Sequence, residues 1–131
     1  MPWGNYVLDI GMDVAAGQQL TKFTAVKYSG EDQCTPVTTI ADVIAGFCQF
    51  NVTTADLANG KGASVRVLGV TEAVAAGAIA VGNMVQLEAT GQVSAYVAAS
   101  GKRIVGKCVG VPATNPGDRI SLLIEPVAGL A

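Results

Sequence analysis

The sequence contains no histidine. That absence removes the commonest general base and metal ligand, so neither a Ser-His-Asp nor a Cys-His arrangement can form. Charge is scarce as well, at 14% Asp, Glu, Lys and Arg, against about a quarter in ordinary soluble domains. Ten acidic and eight basic residues leave a net charge of −2, which lacks the basic footprint of a nucleic-acid binder. Aromatic residues make up 5%, and no apolar run approaches the roughly 20 residues of a membrane-crossing helix. The cysteines, Cys34, Cys48 and Cys108, are odd in number and lack C-x-x-C spacing. They therefore build neither a complete disulfide framework nor a zinc site, and buried free thiols are expected. Residues 1 to 6 carry no basic segment followed by an apolar one, so no signal peptide is expected and synthesis is placed in a reducing cytosol. Together these absences point to a protein that is not an enzyme and carries no cofactor or metal.

What the chain has instead is glycine punctuation followed by alternating β-branched residues. Val14-Ala15-Ala16-Gly17, Asn59-Gly60-Lys61-Gly62, Val74-Ala75-Ala76-Gly77, Ala80-Val81-Gly82-Asn83 and Asn115-Pro116-Gly117-Asp118 each precede Val, Ile or Leu at every second place. Glycine, asparagine and proline ahead of such alternation mark tight turns and strand starts. Strands are read at Leu20 to Tyr28, Ala63 to Val70, Ala73 to Ile79, Met84 to Glu88, Gln92 to Val97, Ile104 to Val111 and Arg119 to Glu125. Val65 and Val67 point inward if Ser64 and Arg66 point outward. Ser29 to Thr35 reads as a loop and Asp56 to Gly62 as a turn. The segment Thr39 to Phe50 satisfies two periods: Ile40, Val43, Ile44 and Phe47 fall at helical spacing, whereas Gly46, two phenylalanines and Asn51-Val52-Thr53-Thr54 favour extended structure. A strand from Val43 to Phe50 is the choice made. The fold class is all-β, a small barrel or sandwich of short antiparallel strands with an extended N-terminal arm. Residues 1–12 form the arm and residues 13–131 a single β domain.

Motifs that resemble chemical sites have plainer readings. Gly60-Lys61-Gly62-Ala63-Ser64 lacks phosphate-loop spacing and leads into a strand rather than a helix. Asp9 with Asp13, and Glu31 with Asp32, lack the regular oxygen spacing of a calcium loop. Asn51-Val52-Thr53 is a glycosylation sequon with no leader to route it there. Ser100-Gly101-Lys102-Arg103 reads as an exposed basic loop. The arm is different: Trp3, Tyr6, Leu8 and Ile10 lie outside the repeated strand pattern, and aromatic and aliphatic anchors there suit a capsid or subunit contact. On that reading, removal of residues 1–12 spares the fold and weakens binding; if these residues instead form an edge strand of the domain, the same removal unfolds it. Low charge beside 50% hydrophobic residues leaves a neutral surface suited to contact with other subunits.

From Val43 onward the order of pieces resembles the small β-rich phage capsid decoration, or cement, proteins. The residues that carry the resemblance are Ala45-Gly46-Phe47, Ser64 to Val70, Val74 to Val85, Thr90-Gly91-Gln92-Val93, Ile104-Val105-Gly106-Lys107 and Pro116 to Ile124. The family's Gly-Asp before a strand is Gly82-Asn83 here, and residues 1 to 42 match loosely. The resemblance implies a non-enzymatic homotrimer, made in the host cytoplasm, that binds the major capsid protein on the outer surface of an assembled phage head and ties capsomers together. Neither nucleic acid nor membrane is an expected partner. A glycan- or receptor-binding β-module of a phage tail or surface structure is the alternative.

Overall fold

The computed structural model describes the backbone of residues 7–129 and the side chains of residues 7–124. It is almost entirely β. Strands β1 (Leu8–Val14), β2 (Ala25–Gly30), β3 (Gln33–Pro36), β4 (Ile44–Cys48) and β5 (Ala63–Leu68) close a barrel in the order β1-β3-β2-β4-β5. A second sheet follows, built from β6 (Val70–Val74), β7 (Met84–Leu87), β8 (Val93–Ala95), β9 (Ile104–Cys108) and β10 (Arg119–Gly129), in the order β6-β10-β9-β7-β8. Ala75, directly after β6, bridges Val93 of β8. The two ends of this sheet therefore come together, and it rolls into a nearly closed second barrel. The strand pairings are antiparallel except that of β1 with β3, which is parallel, as is the Ala75–Val93 bridge. One short helix, α1 (Thr54–Ala58), is nucleated by a capping box in which Thr53 and Asp56 satisfy each other's backbone N–H.

Two cores result, and they share a wall. Val26, Cys34, Cys48, Val52 and Val65 fill the first barrel. Val85, Leu87, Val105, Ile120 and Leu122 fill the second, but so do Ala25 and Phe47 from the first barrel's strands. Successive residues of β2 (Ala25, Val26) and of β4 (Phe47, Cys48) thus serve opposite cores, as strand alternation requires when both faces are buried. This explains why Thr39 to Phe50 reads ambiguously: two-sided burial erases the polar-apolar alternation that would mark a strand. The extended reading is the one observed, confined to Ile44–Cys48. All three cysteines are free and buried. Burial, with Cys48 and Asp13 nearby, pushes the Cys34 thiol up to about 11, so it packs as a small hydrophobe.

Several local expectations are corrected. Ser29 to Thr35 is a hairpin, not a loop: β2 and β3 pair across it, turning at Glu31 and at Asp32, whose φ is 52°. Polar side chains on an exposed hairpin tip disguised the strands. The strand read from Leu20 begins only at Ala25, because Phe23 adopts a φ of 64°, held by its N–H donating to Cys48 O and its carbonyl accepting from Val74 N. Most consequentially, residues 8–12 are not an arm. They pair with β5, and Met12 lies in the first core. Removing residues 1–12 would open the barrel. Residues 1–6 of the proposed arm lie outside the described residues.

One turn is used twice. Asp42 accepts hydrogen bonds from Thr38 N, Thr38 Oγ1 and Thr39 N at 2.9, 3.4 and 3.0 Å. Asp118 accepts from Thr114 N, Thr114 Oγ1 and Asn115 N at 3.0, 3.2 and 3.0 Å. Each turn leads into a strand with neighbours on both sides, β4 or β10, and the framing residues repeat as Pro36-x-Thr38-x-x-x-Asp42-x-Ile44 and Pro112-x-Thr114-x-x-x-Asp118-x-Ile120.

Two glycines show how close the strands approach. A Cβ on Gly46 would overlap the Arg66 carbonyl, and one on Gly106 would overlap the Leu123 carbonyl. Gly82 has open space around it, but its φ of 92° is a left-handed conformation. Gly106→Ala is therefore expected to cost about 3 kcal/mol or more, because backbone must move. Gly82→Val should cost about 1–2 kcal/mol through conformation alone, a fall of roughly 3–8 °C in melting temperature. Thermal melts of both variants check the ranking, and equal losses would contradict it. A second expectation concerns acid. Burial pushes the Asp42 carboxyl up, but hydrogen bonds from Thr38, Thr39 and Lys27 hold it well below the ordinary aspartate value of 3.8. The N–H groups of Asn115 and Thr114 likewise lower Asp118. Folded-state values that are depressed contribute stability above the unfolded pKa, and that stability is lost as pH falls through the folded one. Denaturant midpoints should therefore hold steady above about pH 5 and decline progressively below about pH 4, with a shallower decline in Asp42→Asn. A flat profile in the parent protein would refute the turns' contribution.

Candidate interaction surface

The residues singled out from sequence fall into two groups. Trp3 and Tyr6 lie outside the described residues. Leu8 and Ile10 stand in β1 with 50% and 39% of their surface exposed. Both share parity with Met12 and Val14, which point into the barrel. The inward face of β1 thus runs past the end of the core and emerges uncovered. Asp9, on the other parity, accepts two hydrogen bonds from Arg66, at 2.8 Å from Nε and 3.1 Å from Nη2. Arg66 Nη1 also donates to Val70 O at 3.0 Å. One guanidinium therefore ties β1 to β5 and to the first strand of the second sheet, although a partly exposed ion pair of this kind contributes at most about 1 kcal/mol.

Strand register then extends the exposed apolar surface across the molecule. Leu8 pairs with Leu68 at the end of β5. Two residues on, Val70 pairs with Leu123, Leu123 with Lys107, and Lys107 with Met84. Leu68, Leu123 and Met84 are 43%, 45% and 38% exposed, while Leu122, Ile124 and Val85 on the opposite parity are buried. Adjacent strands lie about 4.8 Å apart, so Val70, Leu123, Lys107 and Met84 line up across the outer face of the second sheet, broken by the single charge of Lys107, while Leu68 stands two residues earlier in the chain at the end of β5. Sequence reading missed Leu68, Met84 and Leu123 because the signal is not local. Each looks like an ordinary strand residue, and only register brings them together.

The row is bounded on the β7–β8 side by polar structure. Gln86, 3% exposed, donates to Ser94 Oγ at 3.1 Å and accepts from Val97 N and Ser100 Oγ, each at 3.0 Å. Lys102 Nζ binds both oxygens of Glu88, at 2.9 and 2.7 Å, and Ser94 Oγ donates to Glu88 Oε1. Burial pushes the Glu88 carboxyl up, but Lys102 and Ser94 outweigh it and hold the group ionised below its usual range. This network fastens residues 97–102 over the sheet, so the basic loop anticipated at Ser100 to Arg103 is half satisfied internally. Lys22 and Arg119 stack on the Phe23 ring, at 5.7 and 4.9 Å from its centroid.

The concave features are shallow. A cleft of about 540 Å³ lies between the Val14–Gly17 turn and α1, with Asp13, Gln33, Thr54 and Lys61 on its rim. Gly60-Lys61-Gly62 runs from the end of α1 into β5, so it does not lead into a helix as a phosphate loop does. Among the described residues no three His, Cys, Asp or Glu side chains converge as metal ligands would.

No protein-family profile matches the chain, and no curated protein matches it. Among solved structures it is similar to the crystal structure of the head fiber gp8.5 N base in bacteriophage phi29. The similarity has a TM-score of 0.58 at 18% identity and covers 92% of this chain and 96% of the other. The two proteins share one fold along nearly their whole lengths: the chain has the architecture of a phage head-fiber base.

Proposed function

We propose that the protein is a structural component of a phage head. It binds the outer surface of the assembled shell as a homotrimer, contacts the major capsid protein and ties neighbouring capsomers together, and it catalyses no reaction. The observation that carries this reading is the end-to-end likeness to a head-fiber base, which agrees with the independent resemblance of Val43 onward to capsid decoration proteins. The surface supports it. The row from Val70 through Leu123 to Met84, together with the exposed Leu8 and Leu68, suits burial against another protein, and 14% charged residues solvate an isolated subunit poorly. Attachment to a shell is multivalent: patches too weak alone become strong when the lattice presents their partners at matching spacing.

Co-sedimentation tests the proposal. The protein should pellet with assembled empty heads far more than it associates with free capsid subunits, and it should show no ligand on a glycan array. Glycan binding without head binding would favour the receptor-binding alternative. Light scattering should report three times the 13.2 kDa chain mass. Leu123→Asp should preserve the fold, because the side chain faces outward, while weakening self-association or head binding by at least about tenfold, the effect of losing one apolar anchor. Unchanged trimer and unchanged binding would remove the row from the interface.

A further inference from the structure

We infer that the open edge of β1 accepts an extended segment of a shell subunit, added as an extra strand and bearing a lysine or arginine at the Asp13 end. The inference rests on the head-surface reading above. β1 has β5 on one side along its length, but β3 on the other side begins only at Gln33, opposite Asp13. Leu8 to Met12 therefore have no strand on that side among the described residues. The direction of the backbone groups follows from period two. Asp13 N donates to Asp32 O at 2.8 Å and Ala15 N to Cys34 O at 2.9 Å, both toward β3. The N–H groups of Gly11 and Asp9 must point the same way, past the end of β3. They present ladder groups for which no other strand among the described residues supplies a partner.

The surroundings suit an added strand. A groove of about 440 Å³, lined by Gly11, Met12, Asp13, Asp32 and Gly62, crosses β1 here and opens onto this edge at Asp32. Gly11 has nothing within 4 Å of where a Cβ would lie, so an incoming backbone meets no side chain there. Leu8 and Ile10 flank the edge with exposed apolar surface, the kind of contact that gives strand addition its side-chain selectivity. Charge selects the occupant. Asp13, Glu31 and Asp32 are exposed around the groove, whereas the ion pairs of the described residues engage Asp9, Asp42 and Glu88 instead. An extended segment with a cationic side chain at that end neutralises the cluster. An acidic one is repelled.

The test compares full-length variants in co-sedimentation with empty heads assembled from the shell protein encoded alongside this chain. Gly11→Pro removes the N–H that faces the open edge and leaves the β5-facing groups of Ile10 and Met12 intact. It should lower the bound fraction at least about tenfold, whereas Gly11→Ala, which keeps the N–H, should stay within about twofold of the parent. Asp13→Asn with Asp32→Asn, which keeps a residue tolerant of the left-handed φ at position 32, should weaken binding and flatten its dependence on salt. Melting temperatures confirm that each variant is folded. If the parent protein pellets and folded Gly11→Pro pellets equally, the strand-addition site is wrong while the head-surface reading stands. If Gly11→Pro does not fold, the double asparagine variant decides, and unchanged binding with unchanged salt dependence overturns the inference. If the parent protein does not pellet at all, both readings fall.

Discussion

The structure depends on two strands that each face two cores. Ala25 and Phe47 pack into the second barrel while their neighbours Val26 and Cys48 pack into the first. A strand buried on both faces has no solvent side on which a polar residue can sit, so β2 and β4 hold no charge at their shared positions. Close approach also explains two glycines. Gly46 and Gly106 sit where a single methyl group would strike a carbonyl of the adjacent strand, β5 or β10, so these strand pairs approach at distances that side chains do not permit. Small residues here are a packing requirement, not filler.

Much of this was legible in the sequence. Glycine turns ahead of β-branched alternation identified an all-β chain, and the clearest strand, Ala63 to Leu68, appears nearly where Ser64, Arg66 and the intervening valines placed it. The misreadings share a physical origin in that local pattern reports local exposure. The β2–β3 hairpin looked like a loop because its tip is polar. Residues 8–12 looked like a detached arm because Leu8 and Ile10 do emerge from the core, although their backbone is tied to β5. Short α1 escaped notice because five residues cannot show a helical period, yet Thr53 and Asp56 carried the capping signal. The apolar row could not be read at all, since it depends on register among β6, β10, β9 and β7 that no single segment encodes.

The repeated threonine-aspartate turn was present in the sequence and easily overlooked. Its residues are common, and the two copies share little beyond Pro, Thr, Asp and Ile at fixed spacing. Structurally it performs one task twice. A carboxylate gathers two backbone N–H groups and a hydroxyl, and so sets the angle at which β4 and β10 leave their turns. Those are strands with neighbours on both sides, β2 and β5 for one and β9 and β6 for the other. Fixing their entry fixes the sheets.

The Asp9–Arg66–Val70 link bears on how the molecule carries force. β1 and β5 run antiparallel and are bonded side by side, so a pull directed along β1 loads their ladder in shear, with many hydrogen bonds resisting together instead of parting one after another. Arg66 passes part of that tension across the Gly69 joint to β6, and from there the same side-by-side geometry hands it to β10. Pulled along β1, the molecule would resist in its stiffest direction, and the Gly69 joint, held by Arg66 and by the Ile124 N–H on the Gly69 carbonyl, is the narrowest link in that path.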